Sequence, residues 1–283
     1  MGNCKYCGEK AGLLKNEHKE CRNKLQAGQK KIIEKVQGAV FEKDDLKDLE
    51  KEIRKIANNS YVDNVEMRSC IIKGWEAAID EEISKGLLTD EHEELSKEFI
   101  EFFVLSHDEL DQNGRLMKAV QSLVIQNLKN GIIEKKFFYP GLQIAGLEEG
   151  EETLWAFLDV NFYMVLMENT FVLDGKSYKP NNIPDDVKEY INQPQNSIKS
   201  KESYHVSTGI FVITNKHVIF YGEKARIPMQ WDDITSIKLY DDGVEIQKGS
   251  MINSPMLFET KDGWFTYELI KGLRDLDIST RNC

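Results

Sequence analysis

The chain has 283 residues, of which 41% are hydrophobic and 30% charged, and it carries a formal net charge of −11 at neutral pH. That length accommodates two or three units with a sizeable core in at least one. The longest apolar stretch, Leu154 to Met167, spans 14 residues and contains Asp159 and Asn161, which excludes a membrane-spanning helix. The start lacks the apolar run of a signal peptide, so the expected location is cytoplasmic.

Charge is unevenly spread. Residues 1–36 hold nine Lys/Arg against four Asp/Glu, whereas residues 37–136 and 137–283 each hold fourteen against twenty-two. The bulk therefore repels DNA, RNA and anionic lipid. Only the first segment is suited to attract them.

The opening MGNCKYCGEKAGLLKNEHKECRNK contains three of the five cysteines. Cys4 and Cys7 form C-x2-C, and His18 and Cys21 form H-x2-C. Tetrahedral zinc takes four N or S donors, and two close pairs joined by a hairpin supply them. Gly8 follows the second cysteine where a turn needs a permissive residue. Lys5, Lys10 and Lys19 offset the charge of three thiolates. A disulfide does not suit a chain without an export signal, and three cysteines leave one over. The M-G start has Tyr6 where N-myristoylation wants Ser or Thr. The stretch resembles a short bacterial zinc ribbon or zinc knuckle. Four protein ligands imply a structural rather than catalytic zinc, at Cys4, Cys7, His18 and Cys21.

From about Glu17 to Gly131 the apolar residues follow a helical period. Leu46, Leu49, Ile53 and Ile56 make one stripe; Leu95, Phe99, Phe102 and Phe103 a second; Met117, Val120, Val124 and Leu128 a third. Thr89, and Ser106 with Glu109, read as helix starts, and Gly131 as a stop. Four or five helices are expected in an acidic bundle over residues 25–136, with Cys70 and Trp75 in its core. The acidic turns VFEKDD, LLTDEH and LSHDEL resemble those of bacterial stress-associated helical domains. A further stripe, Leu25, Ile32, Ile33 and Val36, begins directly after Cys21. The last two zinc ligands are therefore expected in the first turns of a continuous helix. Gly28 is its weak point, costing about 1 kcal/mol relative to alanine.

Beyond Pro140 the period changes to two. Strands are predicted at Leu154–Val160, Tyr163–Leu173, His205–Thr214, His217–Tyr221, Arg226–Trp231, Ile234–Tyr240, Val244–Gln247 and Met256–Thr260. Thr214-Asn215-Lys216 and Asp241-Asp242-Gly243 read as hairpin turns, the latter using Gly243 for positive φ. Leu269, Leu273 and Leu276 mark a closing helix. The run GIFVITNKHVIFYGEKARIPMQWDDITSIKLYDDGVEIQKG resembles bacterial PH-like and GRAM-like domains. The resemblance implies an antiparallel β-barrel with a C-terminal helix over residues 145–278. A polar insertion near 176–204 departs from that pattern, with a short helix expected at Asp185–Ile191. The expected fold class is thus α+β multidomain: a zinc ribbon over 1–24, an all-α bundle and a PH-like barrel.

Enzyme motifs are missing. Glu109 to Val120 lacks the glutamate that closes a calcium loop. His92 has no second histidine four residues on, and Gly175-Lys176-Ser177 lacks the upstream glycine of a phosphate loop. His205 and His217 read as ordinary strand residues. Lys216, His217, Lys224 and Arg226 are too thin a basic group for phosphoinositides. The expectation is a non-enzymatic adaptor whose PH-like unit engages protein or peptide. The alternative is nucleic-acid binding within residues 1–36, through Lys5, Lys10, Lys15, Lys19, Arg22 and Lys24.

Overall fold

Four helices of the first half start where a side chain satisfies their orphan N–H groups. In the computed structural model, Asp45 accepts from Lys47 N at the start of α2 (Leu46–Ser60). Asp63 and Glu66 form a capping box on α3 (Asn64–Lys85). Thr89 caps α4 (Asp90–Phe102), and Ser106 with Glu109 caps the single turn α5 (His107–Leu110). These reciprocal bonds fix where each helix begins. α1 (Lys19–Gln37) differs, because its N-cap His18 makes no side-chain cap. α6 (Arg115–Lys129) is followed by Gly131 at φ 76°, the expected stop. The structure describes residues 2–12, 15–43, 45–133, 144, 147–165, 171–173, 176–178, 197–198, 203–249 and 255–281.

The helices share one core. It contains Leu25, Ile32 and Val36 of α1, Leu49, Ile53 and Ala57 of α2, and Cys70, Trp75 and Ile79 of α3. Phe99, Leu110, Ala119 and Leu123 complete it. Trp75 is 1% exposed and its Nε1 donates to Ser96 Oγ at 2.9 Å, so burial leaves no polar atom wanting. On α6 the core side is Ala119 and Leu123; Met117, Val120 and Val124 are only half-buried. Two glycines let α1 press against its neighbours. A Cβ on Gly28 would stand 1.9 Å from Ser60 Oγ, and one on Gly74 of α3 would stand 2.5 Å from Val36 Cβ. Gly28 is thus a packing position, not a weak point.

The second half is a seven-stranded antiparallel sheet. Its members are β1 (Thr153–Val165), β4 (Ser203–Thr214), β5 (His217–Gly222), β6 (Arg226–Gln230), β7 (Ile234–Tyr240), β8 (Gly243–Lys248) and β9 (Met256–Glu259). The order is β6-β5-β4-β1-β9-β8-β7. A separate hairpin pairs β2 (Phe171–Leu173) with β3 (Lys176–Tyr178). Two expectations need correction. Leu154–Val160 and the start of Tyr163–Leu173 are one strand, bulged at Leu158–Asp159, where Asp159 takes φ 52°. A bulge bends a strand without ending it. The barrel, moreover, is not closed. β6 and β7 form the two edges, joined through a 3-10 turn at Trp231–Asp233 rather than by a ladder. Pro228 lies in β6, the edge placement a residue without an N–H requires.

α7 (Gly263–Arg281) buries Phe265, Leu269, Ile270 and Leu273. Trp155 meets Phe265 edge-on at 4.5 Å, and Phe211 lies 4.7 Å from Phe258. Trp231 is core, whereas Trp264 is 40% exposed. The two compact units are Met1–Gln126 and Asn127–Cys283. The helix expected at Asp185–Ile191 lies outside the described residues.

Candidate metal centre

The N-terminal segment is a small hairpin. Asn3 and Lys10 bridge, Cys4 N donates to Glu9 O (2.7 Å), and Gly8 N donates to Cys4 O (2.9 Å). Gly8 sits at φ 77°, which an L side chain would strain. The turn places Cys4 and Cys7 on one side. His18 is the N-cap of α1, and Cys21 follows in the helix's first turn. The expected continuity of ligands and helix is therefore what forms. It also explains why His18 does not cap: its ring is turned to the cysteines.

Cys4 Sγ, Cys7 Sγ, Cys21 Sγ and a nitrogen of His18 all lie within 4.8 Å of one another. Nδ1 of His18 is 3.3 Å from Cys7 Sγ and 3.8 Å from Cys21 Sγ. Zn–S bonds of about 2.3 Å and Zn–N bonds of about 2.0 Å give S···N edges of about 3.5 Å in a tetrahedron. The observed pair brackets that value. His18 Nε2 lies 3.0 Å from the Lys10 carbonyl. A carbonyl only accepts, so Nε2 carries the proton and Nδ1 presents its lone pair to the cysteines in the neutral ring. This outer contact had no signal in the sequence, because it comes from main chain.

The electrostatics favour a cation. Burial alone raises the Cys4 thiol, but N–H groups of Cys7, Tyr6 and His18 outweigh it and bring the group down to about 6. His18 N donates to Cys4 Sγ at 3.4 Å. Cys21 is pushed up to about 11, by burial first and then by bonding to and repulsion from Cys7 and Cys4. Three thiols this close ionise together only with a positive charge among them. The donor set, distances and histidine tautomer thus fit a metal ion.

The hairpin rests on the helices. Tyr6 packs against the helical core and lies 6.0 Å from the ring of Tyr61, the left-handed C-cap of α2. Lys24 Nζ stands 5.1 Å over Tyr61, and Lys5 Nζ stands 4.8 Å over Tyr6. Burial, then the charges of Cys21 and Cys7, raises the Tyr61 phenol. Tyr6 and Tyr61 are packing positions beside the centre that periodicity could not reveal, since both lie outside any helical stripe.

The six basic residues are not equivalent. Lys5 and Arg22 converge on Glu17 at 3.1 and 3.3 Å, and Lys24 lies on Tyr61. Lys10, Lys15 and Lys19 are exposed. His217 also proved to have a partner: its Nδ1 is 2.7 Å from Glu151 Oε1, both side chains being buried. The two groups are in contact without the alignment of a hydrogen bond. Thr214 Oγ1 donates to the same carboxylate at 2.6 Å. No helix among the described residues is long and apolar enough to cross a membrane. No protein-family model matches the chain, and no curated protein matches it.

Proposed function

We propose that this chain is a non-enzymatic modular binding protein. A structural zinc, held by Cys4, Cys7, His18 and Cys21, fixes the N-terminal hairpin against the helical unit. The C-terminal unit, with its resemblance to PH-like and GRAM-like domains, engages a protein or peptide. The observation that carries this reading is the Cys3His set. Four donors within 4.8 Å of one another suit the closed tetrahedron of a structural ion, which has no position for water or substrate.

Elemental analysis of freshly purified protein should return about one zinc per chain, lost on Cys4→Ser or Cys21→Ser. Zinc-free protein of native helicity contradicts the metal reading. A photo-crosslinking residue at the exposed positions Leu239 or Trp264 tests the partner reading in cells. Recovery of no discrete adduct from either position counts against it.

A second reading, nucleic-acid binding, draws on exposed Lys10, Lys15 and Lys19 beside the metal centre. Glu17 already draws in Lys5 and Arg22, so the first reading is preferred. A gel shift at about 50 mM salt would support the second reading, and its absence there would end it.

A further inference from the structure

The long polar segment between β3 and β4 touches the sheet at one described point, and that point has the form of a recognition site. Ser197 Oγ donates to Asp242 Oδ2 at 2.5 Å, and Ile198 N donates to Asp242 Oδ1 at 2.9 Å. One carboxylate thus takes both donors of two consecutive residues. Ile198 is 0% exposed, packed with Tyr240 and Leu257 and flanked by Tyr163 and Val165. Its Cδ1 lies only 2.7 Å from where a Cβ on Gly243 would stand. Gly243 is not at positive φ, so the glycine of the D-D-G turn serves close approach, to Ile198 and to the Phe258 carbonyl.

The receiving side is held by hydrogen bonds of its own. Asp241 and Asp242 form the two-residue loop between paired Tyr240 and Gly243. Lys261 N donates to Asp242 O at 2.8 Å, and Gly263 N donates to Asp241 O at 3.3 Å. Tyr240 is held by its hydroxyl to Glu245 at 2.8 Å. The occupant, in contrast, belongs to the 24 residues from 179 to 202 that connect two strands, far more than a hairpin needs.

We infer that Asp242, Tyr240, Gly243 and Leu257 form a binding site for an extended peptide bearing a hydroxyl residue followed by an aliphatic one, occupied in cis by Ser197–Ile198. A partner segment with the same pair competes for it. The carboxylate selects a side-chain O–H followed by a main-chain N–H, and the cavity beyond Gly243 selects a branched aliphatic side chain. This deepens the reading that the C-terminal unit engages a peptide, and rests on it. The two fail separately, because the assay below addresses the pocket alone and crosslinking addresses the partner.

The probe is a fluorescein-labelled peptide QPQNSIKSK, which copies residues 193–201, titrated against the full chain. Ile198→Ala empties the cavity, so the peptide should bind this variant at least about tenfold more tightly than wild type, whose cis copy competes at roughly millimolar effective concentration. Peptides with alanine in place of the serine or the isoleucine should each lose about tenfold or more, since each removes one of the two recognition elements. Asp242→Ala added to Ile198→Ala should lose as much. Ser197→Asp, which sets a second carboxylate against Asp242, is the alternative variant if Ile198→Ala melts early. If neither folds, unlabelled peptide at about 10 mM on wild type should shift the Asp242 and Ile198 amide resonances. No saturable binding to a folded variant, equal binding of the alanine peptides, or unmoved resonances on wild type would overturn the inference.

Discussion

Replacing Gly28 by alanine sets two effects against each other. Gly28 lies inside α1, where alanine is favoured by about 1 kcal/mol on helix propensity. The new Cβ, however, would stand 1.9 Å from Ser60 Oγ, 2.3 Å from Ser60 Cβ and 3.4 Å from Val62 Cγ2. Comfortable carbon contacts are about 3.5–4.0 Å. Ser60 cannot step aside cheaply, because it is 6% exposed and its hydroxyl donates to Ile56 O at 2.5 Å. Overlap with two atoms of a buried, bonded side chain belongs near the upper end of overpacking costs, about 3 kcal/mol. The net is a loss of about 2 kcal/mol. In a unit of this size that lowers Tm by up to about 8 °C. Thermal unfolding followed by circular dichroism at 222 nm measures it. Gly28→Ala combined with Ser60→Gly should melt above Gly28→Ala alone, because the pair is coupled through one contact. A Gly28→Ala variant that melts higher than wild type would refute the packing account and restore propensity as the deciding term.

Stripping the metal proposed for the Cys3His group with a chelator should speed amide exchange from Cys21 to about Lys35 while the rest of the helical core keeps its protection; a change confined to residues before Cys21 would show that the hairpin and α1 are uncoupled. Arg68 donates to both oxygens of Glu109 and to the Phe103 and Val104 carbonyls. The Arg68 guanidinium first, then bonds from Ser106, hold the Glu109 carboxyl down at about 2 against an ordinary 4.5. A depressed folded-state value gives stability that is fully present above about pH 4.5 and lost as pH falls towards 2; Arg68→Met should therefore lose less than wild type between about pH 6 and pH 3 in urea titrations, and an equal loss would sink the assignment. Val104 is β-branched at φ 51° and 77% exposed, so Val104→Gly should gain roughly 0.5–1 kcal/mol by relieving a left-handed residue, and a destabilised variant would show that its side chain is needed. Glu151→Ala should cost the C-terminal unit about 1–3 kcal/mol by leaving His217 Nδ1 buried with no carboxylate beside it, while Thr214 keeps the His217 carbonyl as acceptor; a loss under about 0.5 kcal/mol would show that the contact is ornamental.

What was legible in the residues was local. Ser106 and Glu109 announce a capping box because three residues of helix bring them together, and C-x2-C with H-x2-C announces a metal set because each pair wraps one ion. Non-local features were not legible. The face that α6 buries could not be read from RLMKAVQSLVIQNLK, since apolar residues surround that helix and only its neighbours decide. The strand expected at Leu154–Val160 stops before Asn161, a polar residue in an apolar run, yet the ladder continues through it to Val165. That β6 and β7 stay unpaired edges, joined only through a 3-10 turn, is likewise not encoded in short-range pattern. Glu151 and His217 are sixty-six positions apart, and nothing along the chain marks either as the other's partner. The hairpin's rest on Tyr61 is equally invisible, being a meeting of two turns.

The central place of β1 has a consequence for synthesis. Its second half pairs on one side with β4 and on the other with β9, so that Asn161 stands opposite Glu259, 98 residues later. At ribosomal rates of about 5–20 residues per second, that flank waits roughly 5–20 s for its partner. The helical unit, built from neighbours in sequence, can fold during that interval. Meanwhile Phe162, ultimately stacked on Phe258 at 5.1 Å, sits on an unpaired edge. Nascent chains stalled before residue 256 should therefore recruit ribosome-associated chaperones, and release them once β9 has cleared the exit tunnel.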